Sequence, residues 1–215
     1  AQTTRHRIRG IVNGEDYQIV YSDLPGILDP AYKMQEMMMH FIRVALTDAD
    51  LILLMVEVGE TRFNEEVMAQ LQECKIPKIL IINKVDKSTP EAVKETEQYW
   101  TNLFPGIESI ALSALHQIGI EWLQERIVQH LPVSPPFFPK DQLTDKPVRF
   151  FISEIIREKI LMLYKKEIPY SVEVVVDSYK EADHIVQISA MLYCERDTQK
   201  GILIGSKGSA IKQLG

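Results

Sequence analysis

Cysteine is scarce in this sequence, and long apolar runs are missing. Cys74 and Cys194 are its only cysteines, and they offer neither a disulfide framework nor the spacing of a zinc site. The longest apolar run, residues 51–56, is far shorter than the roughly 20 residues that cross a bilayer, and no secretory signal opens the chain. These absences predict a soluble protein of a reducing cytoplasm, with association at a membrane surface left open.

A proline-rich segment divides the chain. The 215 residues, 46% of them apolar, suffice for two modest cores. Residues 131–139 contain four prolines, which donate no backbone hydrogen bonds, so we predict a semi-rigid connector there. The predicted organisation is a first domain at residues 1–131, a linker at residues 132–147 and a second domain at residues 148–215.

Charge is distributed unevenly between the two parts of the chain. Lys and Arg number 12 against 19 Asp and Glu in residues 1–139, and 12 against 11 in residues 140–215. The acidic first part argues against non-specific nucleic-acid binding there. The nearly neutral second part allows a local basic groove.

The segment Asn83-Lys84-Val85-Asp86 follows the apolar run at residues 78–82, which predicts a buried strand with polar groups at its carboxyl end. Asp86 is suited to accept from N1–H and the exocyclic amine of guanine, with Asn83 at the other edge and the Lys84 stem over the ring. Adenine lacks that amine, and an unpaired buried carboxylate would cost about 1–3 kcal/mol. The alternative is a strand that ends in a polar turn.

Two further strand ends follow the same pattern. Residues 17–26 alternate in polarity and end in Asp23-Leu-Pro-Gly26, where Asp23 would approach Mg²⁺ through water and the Gly26 N–H would face a γ-phosphate. Residues 109–115 end in Ser113-Ala114-Leu115, where the Ala114 N–H could donate to guanine O6. Three such segments in chain order favour a guanine-nucleotide site over three unrelated strand ends.

The opening residues carry a family resemblance. Gln2-Thr3-Thr4-Arg5-His6-Arg7 precedes a hairpin with a predicted Asn13-Gly14 turn. This run resembles the first switch of translation-factor-related GTPases, and that of the Era family in particular. The resemblance implies that Thr4, rather than Thr3, ligates Mg²⁺ when the triphosphate is bound. An ordinary polar start of a strand is the alternative.

Strands alternate with helices through the first domain. Helical patterns at residues 31–46, 64–73, 90–102 and 118–130 separate the predicted strands. This order predicts an α/β fold, a doubly wound and mainly parallel sheet like that of P-loop NTPases. The methionine-rich side of the first helix is expected to pack in the core, and an adaptable surface is the alternative.

No catalytic side chain is assigned from the sequence. Ile27 follows the Asp-x-Pro-Gly turn, where many regulatory GTPases place a Gln that orients water. The Era family shares a hydrophobic residue there, so we expect slow intrinsic hydrolysis. We expect surface or packing roles for the histidines, which show no metal-ligand spacing: His6, His40, His116, His130 and His184.

The second domain carries an RNA-binding motif. A helical pattern at residues 148–166 precedes two strands at residues 170–179 and 185–194. The loop Gly205-Ser206-Lys207-Gly208 then opens a helix, which is the signature of a KH module that clamps about four nucleotides of single-stranded RNA. The glycines permit close approach to phosphates, Lys207 supplies charge, and Ile202 and Ile204 could support bases. A simple helix-entry turn is the alternative.

The resemblance to the Era family, with a type II KH domain of α+β class, spans the whole chain. It implies a GTP-binding and GTP-hydrolysing switch that uses Mg²⁺ with GTP or GDP. It further implies that the switch binds 16S rRNA near its 3′ end and assists assembly of the 30S ribosomal subunit. RNA rather than DNA is the expected partner. A cytoplasmic monomer is expected, with peripheral association at the inner face of the cell membrane left open.

Two departures from the family pattern stand out. Leu24 occupies the position where the family commonly has Thr, and no Gly-x-x-x-x-Gly-Lys-Ser/Thr phosphate loop occurs in the 215 residues. We therefore predict that the gene encodes a phosphate loop upstream of Ala1. We also expect the KH domain to continue beyond Gly215 for a further helix and strand. Residues 1–215 alone should bind GTP poorly.

Two alternatives to this hypothesis stay open. A tandem GTPase of the Der type also ends in a KH-like domain, but that domain usually lacks the Gly-x-x-Gly loop. A non-enzymatic RNA-binding scaffold with a degenerate first domain is the other alternative. An intact upstream phosphate loop would exclude it.

Overall fold

A computed structural model describes residues 4, 6–27, 33–183 and 185–215, with the side chains at 33–35 and 38 outside that description. The predictions for Thr3 and His184, and for the side chains of Met34 and Met38, therefore fall outside the described residues. The chain divides into two compact units, residues 2–143 and residues 144–215. No helix within the described ranges is long and apolar enough to span a bilayer.

The first unit opens with a hairpin. Strands β1 (Ile8–Asn13) and β2 (Gln18–Asp23) pair antiparallel, with Ile11 opposite Val20. The predicted hairpin is confirmed, but the predicted two-residue turn is wrong. Asn13 is the last residue of β1 and pairs with Gln18, and the loop of residues 14–17 is closed by a 2.9 Å bond from Gly14 N–H to Tyr17 O.

A parallel sheet follows in the order β3-β4-β5, which confirms the predicted parallel arrangement. Its strands are β3 (Ile52–Glu57), β4 (Lys78–Asn83) and β5 (Glu108–Ala111). The helices of this unit are α1 (Lys33–Asp48), α2 (Glu65–Glu73), α3 (Pro90–Leu103) and α4 (Ile120–His130). Among the described strands, the hairpin and the parallel sheet remain separate, and a groove of about 520 Å³ lies between β2 and β3.

Strand β4 is buried on both faces, as its continuous apolar sequence predicts. Leu80 and Ile82 belong to one core cluster, whereas Ile79 and Ile81 belong to another. Successive side chains of a strand point to opposite faces, so one strand contributes to both layers. This arrangement brings the polar residues after Ile82 to the carboxyl edge of the sheet.

Helix α4 begins two residues later than the predicted helix. Gly119 precedes it with φ 80°, and Ile118 instead forms an antiparallel bridge with Ser113. A Cβ on Gly119 would lie 3.1 Å from Leu112 Cβ, so this left-handed position also has little room for a side chain. The loop after β5 is thereby folded back on itself.

The second unit contains α5 (Val148–Leu163), β6 (Val172–Ala182), β7 (Ile185–Cys194), α6 (Asp197–Ile204) and α7 (Ser209–Leu214). Strands β6 and β7 are antiparallel. Ile160, Val172 and Leu203 form part of its core, and Tyr164 donates a 2.8 Å hydrogen bond to Leu203 O. Helix α6 was not predicted from the sequence.

Candidate functional site

Asn83 ties together the carboxyl ends of β4 and β5. Its Oδ1 accepts hydrogen bonds from the backbone N–H of Lys84 at 2.7 Å and from that of Ala114 at 3.1 Å. Lys84 adopts a left-handed conformation with φ 64°, which turns the chain away from the strand. Asn83 thus holds two loops together, a contact that its motif did not predict. Its position at the edge of a base remains a prediction.

Asp86 lies beside the second of these loops. Ser113, which is fully buried, donates a 2.5 Å hydrogen bond from Oγ to Asp86 Oδ1. This bond is the main cause that lowers the pKa of Asp86, and the charges of His116 and Lys87 act in the same direction. His116 Nε2 lies 3.7 Å from Asp86 Oδ2. Asp86 is therefore an oriented, ionised acceptor.

The loop after β5 combines a buried residue with an exposed one. Ser113 points inward to Asp86, whereas the Leu115 side chain is 77% exposed. Ser113 and Ile118 exchange backbone hydrogen bonds of 3.1 and 3.0 Å, which close the loop. Between them, the Ala114 N–H faces the Asn83 amide. Ser113, Ala114 and Leu115, the three residues predicted for the site in this segment, thus lie in different environments.

Two oxygen atoms predicted to approach a metal lie next to each other. Thr4 Oγ1 donates a 3.1 Å hydrogen bond to Asp23 Oδ2 at the end of β2. Arg7 fixes the intervening segment, since its guanidinium contacts Ser22 Oγ and both carboxylate oxygens of Asp48. No group of three or more His, Cys, Asp or Glu suited to a metal occurs in the described ranges. A hydroxyl and a carboxylate nevertheless fit Mg²⁺, which commonly takes few protein ligands besides water and phosphate.

The turn after β2 packs on the parallel-sheet core. Leu24 and Ile27 contact the cluster that contains Val56 and Ile82. This packing explains the aliphatic residue at position 27, because its partly buried side chain contacts the core. Gly26 lies between them and is exposed.

The Gly-x-x-Gly loop joins α6 to α7 in the second unit. Gly205 has φ 72°, and a Cβ there would lie 2.6 Å from Ala210 Cβ. Gly208 has φ 78° and Lys207 has φ 50°. The side chains of Ser206, Lys207, Ile202 and Ile204 are all exposed. Only glycine at position 205 permits this close return of the backbone.

Two family descriptions match the chain. Residues 1–84 match a 50S ribosome-binding GTPase family, and residues 167–215 match a KH domain family. GTPase Era of Geotalea uraniireducens (strain Rf4) is 42% identical over 217 residues, covering all of this chain and 73% of the relative. GTPase Era of Staphylococcus haemolyticus (strain JCSC1435) is 38% identical over 218 residues, with the same coverage.

The chain belongs to the GTPase Era family. Solved Era structures agree with this assignment. Era in complex with MgGDPNP and nucleotides 1506–1542 of 16S ribosomal RNA matches with a TM-score of 0.92 and 33% identity, over all of this chain and 75% of that one. A variant of Aquifex aeolicus Era bound to GDP·AlF4⁻ matches with a TM-score of 0.92 and 32% identity, with the same coverage.

Sequence reasoning missed two residues of this Era-family site. Glu57 forms an ion pair with Lys84 Nζ. Nothing in the local sequence distinguishes Glu57 from any other polar residue at the end of a strand. His116 is exposed, which agrees with the expected surface role, but the sequence did not predict that its ring lies near Asp86. Its place one residue after Ser-Ala-Leu was the only available signal.

Proposed function

We propose that this Era-family chain is the GTP-binding and GTP-hydrolysing switch that its relatives' name describes, and that it recognises guanine through Asp86. The observation that carries the proposal is the hydrogen bond from buried Ser113 to Asp86 Oδ1, which orients an ionised carboxylate against the loop that also contains the Ala114 N–H. Guanine N1–H and its exocyclic amine would both donate to Asp86. Adenine offers no matching pair of donors, so ATP would leave the carboxylate unsatisfied.

Asn83 and Ala114 would complete the base site. The Ala114 N–H, which donates to Asn83 Oδ1 in this structure, is the proposed donor to guanine O6. The loop geometry supports this role, because the bridge between Ser113 and Ile118 fixes the position of the intervening amide. Lys84 would cover one face of the ring, and the Leu115 backbone would line the edge of the site.

Thr4 and Asp23 would hold Mg²⁺ together with nucleotide phosphates. Their oxygen atoms are already neighbours, which supports this assignment. We propose Thr4 as a direct ligand and Asp23 as a ligand through water. When bound, the ion would neutralise charge on the phosphates. Gly26, which is exposed within the turn after β2, would offer its N–H to the γ-phosphate.

The second unit would bind RNA through residues 202–208. Its exposed Lys207 and paired glycines suit phosphate contact, and exposed Ile202 and Ile204 suit base contact. The Era structure with nucleotides 1506–1542 of 16S rRNA supports the 3′ end of that RNA as partner. We propose that the protein acts as a cytoplasmic monomer in assembly of the 30S subunit. A G domain at residues 1–131, a linker at 132–147 and a KH domain at 148–215 are the proposed boundaries.

The decisive experiment is Mg²⁺-dependent binding of fluorescent GTP and GDP to the full-length gene product, with ATP as competitor. Residues 1–215 are measured alongside, and both hydrolysis of GTP and binding of a 16S rRNA 3′-end oligonucleotide are followed for the same proteins. Guanine-selective binding and slow turnover by the gene product are expected. Binding of 16S rRNA without any nucleotide binding would instead favour the non-enzymatic RNA scaffold.

A further inference from the structure

Glu57 contacts the base-site lysine from a neighbouring strand. It is the last residue of β3 and lies in register with Asn83, the last residue of β4. Lys84 Nζ donates to Glu57 Oε1. The ammonium of Lys84 is thus held at the end of β3, although the residue itself follows β4. The methylene stem of Lys84 must therefore cross the carboxyl edge of the sheet from β4 to β3.

The lysine is fixed at both of its ends. Its backbone N–H donates to Asn83 Oδ1 at 2.7 Å, and its backbone adopts φ 64° and ψ 34°. At the other end, the Glu57 carboxylate holds the ammonium. A flexible four-carbon stem is thereby stretched along the edge of the proposed base site.

Glu57 begins a loop that is held in place by hydrogen bonds. Its N–H donates to Glu60 Oε2 at 2.9 Å, and the Glu60 N–H donates back to Glu57 O at 3.0 Å. Helix α3 anchors this loop through two buried side chains. Thr96 Oγ1 accepts from the Gly59 N–H at 2.8 Å, and Trp100 Nε1 donates to Glu60 O at 2.9 Å.

We propose that Glu57 is a positioning residue for guanine nucleotides, acting by holding the Lys84 stem ready to cover one face of the base. This inference rests on the proposed guanine-nucleotide function. The ion pair is half exposed, and such pairs contribute little to folding stability. Its effect lies in ordering a flexible side chain before the nucleotide arrives, which reduces the entropy lost on binding.

The test is stopped-flow dissociation of fluorescent GDP from the full-length gene product carrying Glu57→Gln. The dissociation rate should rise about five-fold, with an unchanged thermal unfolding midpoint and unchanged exclusion of ATP. Glu66→Gln is the matched control, because Glu66 forms an ion pair with Arg43 and its side chain is 57% exposed, as is that of Glu57. The control should leave the GDP dissociation rate unchanged.

A double-mutant cycle identifies the route of the effect. Lys84→Met keeps the apolar stem and removes the ammonium that Glu57 holds. If Glu57 acts through Lys84, the double variant should release GDP no faster than Lys84→Met alone. Additive effects of the two substitutions on the GDP dissociation rate would overturn the inference, and so would an unchanged or slower release of GDP from Glu57→Gln. In either case, GDP binding by the unmodified protein would still uphold the proposed function. Failure of the unmodified protein to bind GDP would reject that function and this inference with it.

Discussion

Ser113 Oγ and Asp86 Oδ1 are 2.5 Å apart, which joins the loop after β5 to the carboxylate that follows β4. Ser113 is fully buried, so its hydroxyl has no water to compete for it. The bond both aims the carboxylate and stabilises its ionised form.

Ser113→Ala should therefore weaken GDP binding and raise the pKa of Asp86 toward its ordinary value. Loss of one hydrogen bond to a charged group is expected to reduce affinity about 10-fold. Fluorescent GDP titration measures this change. Ser109→Ala is the control, because Ser109 also donates to a carboxylate, that of Glu97, from β5. Equal losses of GDP affinity in the two variants would indicate a general weakening of β5 rather than a specific effect on Asp86.

The same hydrogen bond has a defined pH dependence. Because the pKa of Asp86 is lowered in the folded state, its stabilising contribution is present above the ordinary value of 3.8 and is lost as pH falls through the folded value. Following the Asp86 carboxyl carbon by NMR between about pH 2 and pH 6 should give a midpoint below 3.8 in the unmodified protein. The midpoint should move upward in Ser113→Ala. An unmoved midpoint would contradict the assigned cause.

Asp86→Asn should reverse the choice of base. The amide has one acceptor oxygen and an NH2 donor where the carboxylate has two acceptor oxygens, so it can no longer pair with both guanine donors. Its NH2 group instead suits the carbonyl oxygen that xanthine carries in place of the amine. GDP affinity should fall at least about 100-fold, and xanthosine diphosphate should bind better than GDP. Competition against fluorescent nucleotides measures both. Retained preference for GDP would place guanine recognition elsewhere.

Gly205→Ala should destabilise the second unit. The residue has φ 72°, and the new Cβ would lie 2.6 Å from Ala210 Cβ and 2.8 Å from its backbone nitrogen. The free energy of unfolding should fall by about 1–3 kcal/mol, measured by urea denaturation. Gly201→Ala is the control, since Gly201 lies within α6 and a Cβ there meets no atom within 4 Å. That variant should gain roughly 0.5–1 kcal/mol.

Lys207→Gln should weaken RNA binding uniformly across sequences. The lysine is exposed on the Gly-x-x-Gly loop, where it would contact phosphate rather than a base edge. In titrations of a fluorescent 16S rRNA 3′-end oligonucleotide, the slope of log affinity against log salt should decrease by about 0.7. Lys180→Gln removes the same charge from an exposed position of β6 and should change neither affinity nor slope. Equal effects of both variants would indicate long-range charge alone.

Local patterns were enough to predict the main elements of the candidate site. The apolar run before Asn83 predicts a strand buried on both faces, and the polar residues after it must lie at its carboxyl edge. The two glycines at 205 and 208 predict a tight, exposed loop, because left-handed backbone favours glycine there. Such features depend on near neighbours in sequence, so the sequence alone determines them.

The boundaries of some helices and the hydrogen-bond partners of the site residues depended on the tertiary structure. Residues 197–200 carry no strong apolar periodicity, and α6 was missed for that reason. Helix α4 starts late because Ile118 bridges back to Ser113, which helical periodicity does not predict. The tie from Asn83 to Ala114 spans two strand ends of the parallel sheet.

The sequence by itself determined which residues are the main candidates for nucleotide and RNA binding and the order in which the strand ends present them. Only the tertiary structure decided that Glu57 holds Lys84, that Ser113 orients Asp86 and that Thr4 contacts Asp23. Each of these contacts joins side chains from different elements, and their distance and orientation follow from how the sheet, hairpin and loops pack. The periodicity of side chains along helices and strands, and the turn preferences of residues, act over only a few residues. They therefore identify the polar side chains at strand ends but cannot show which of those side chains contact each other.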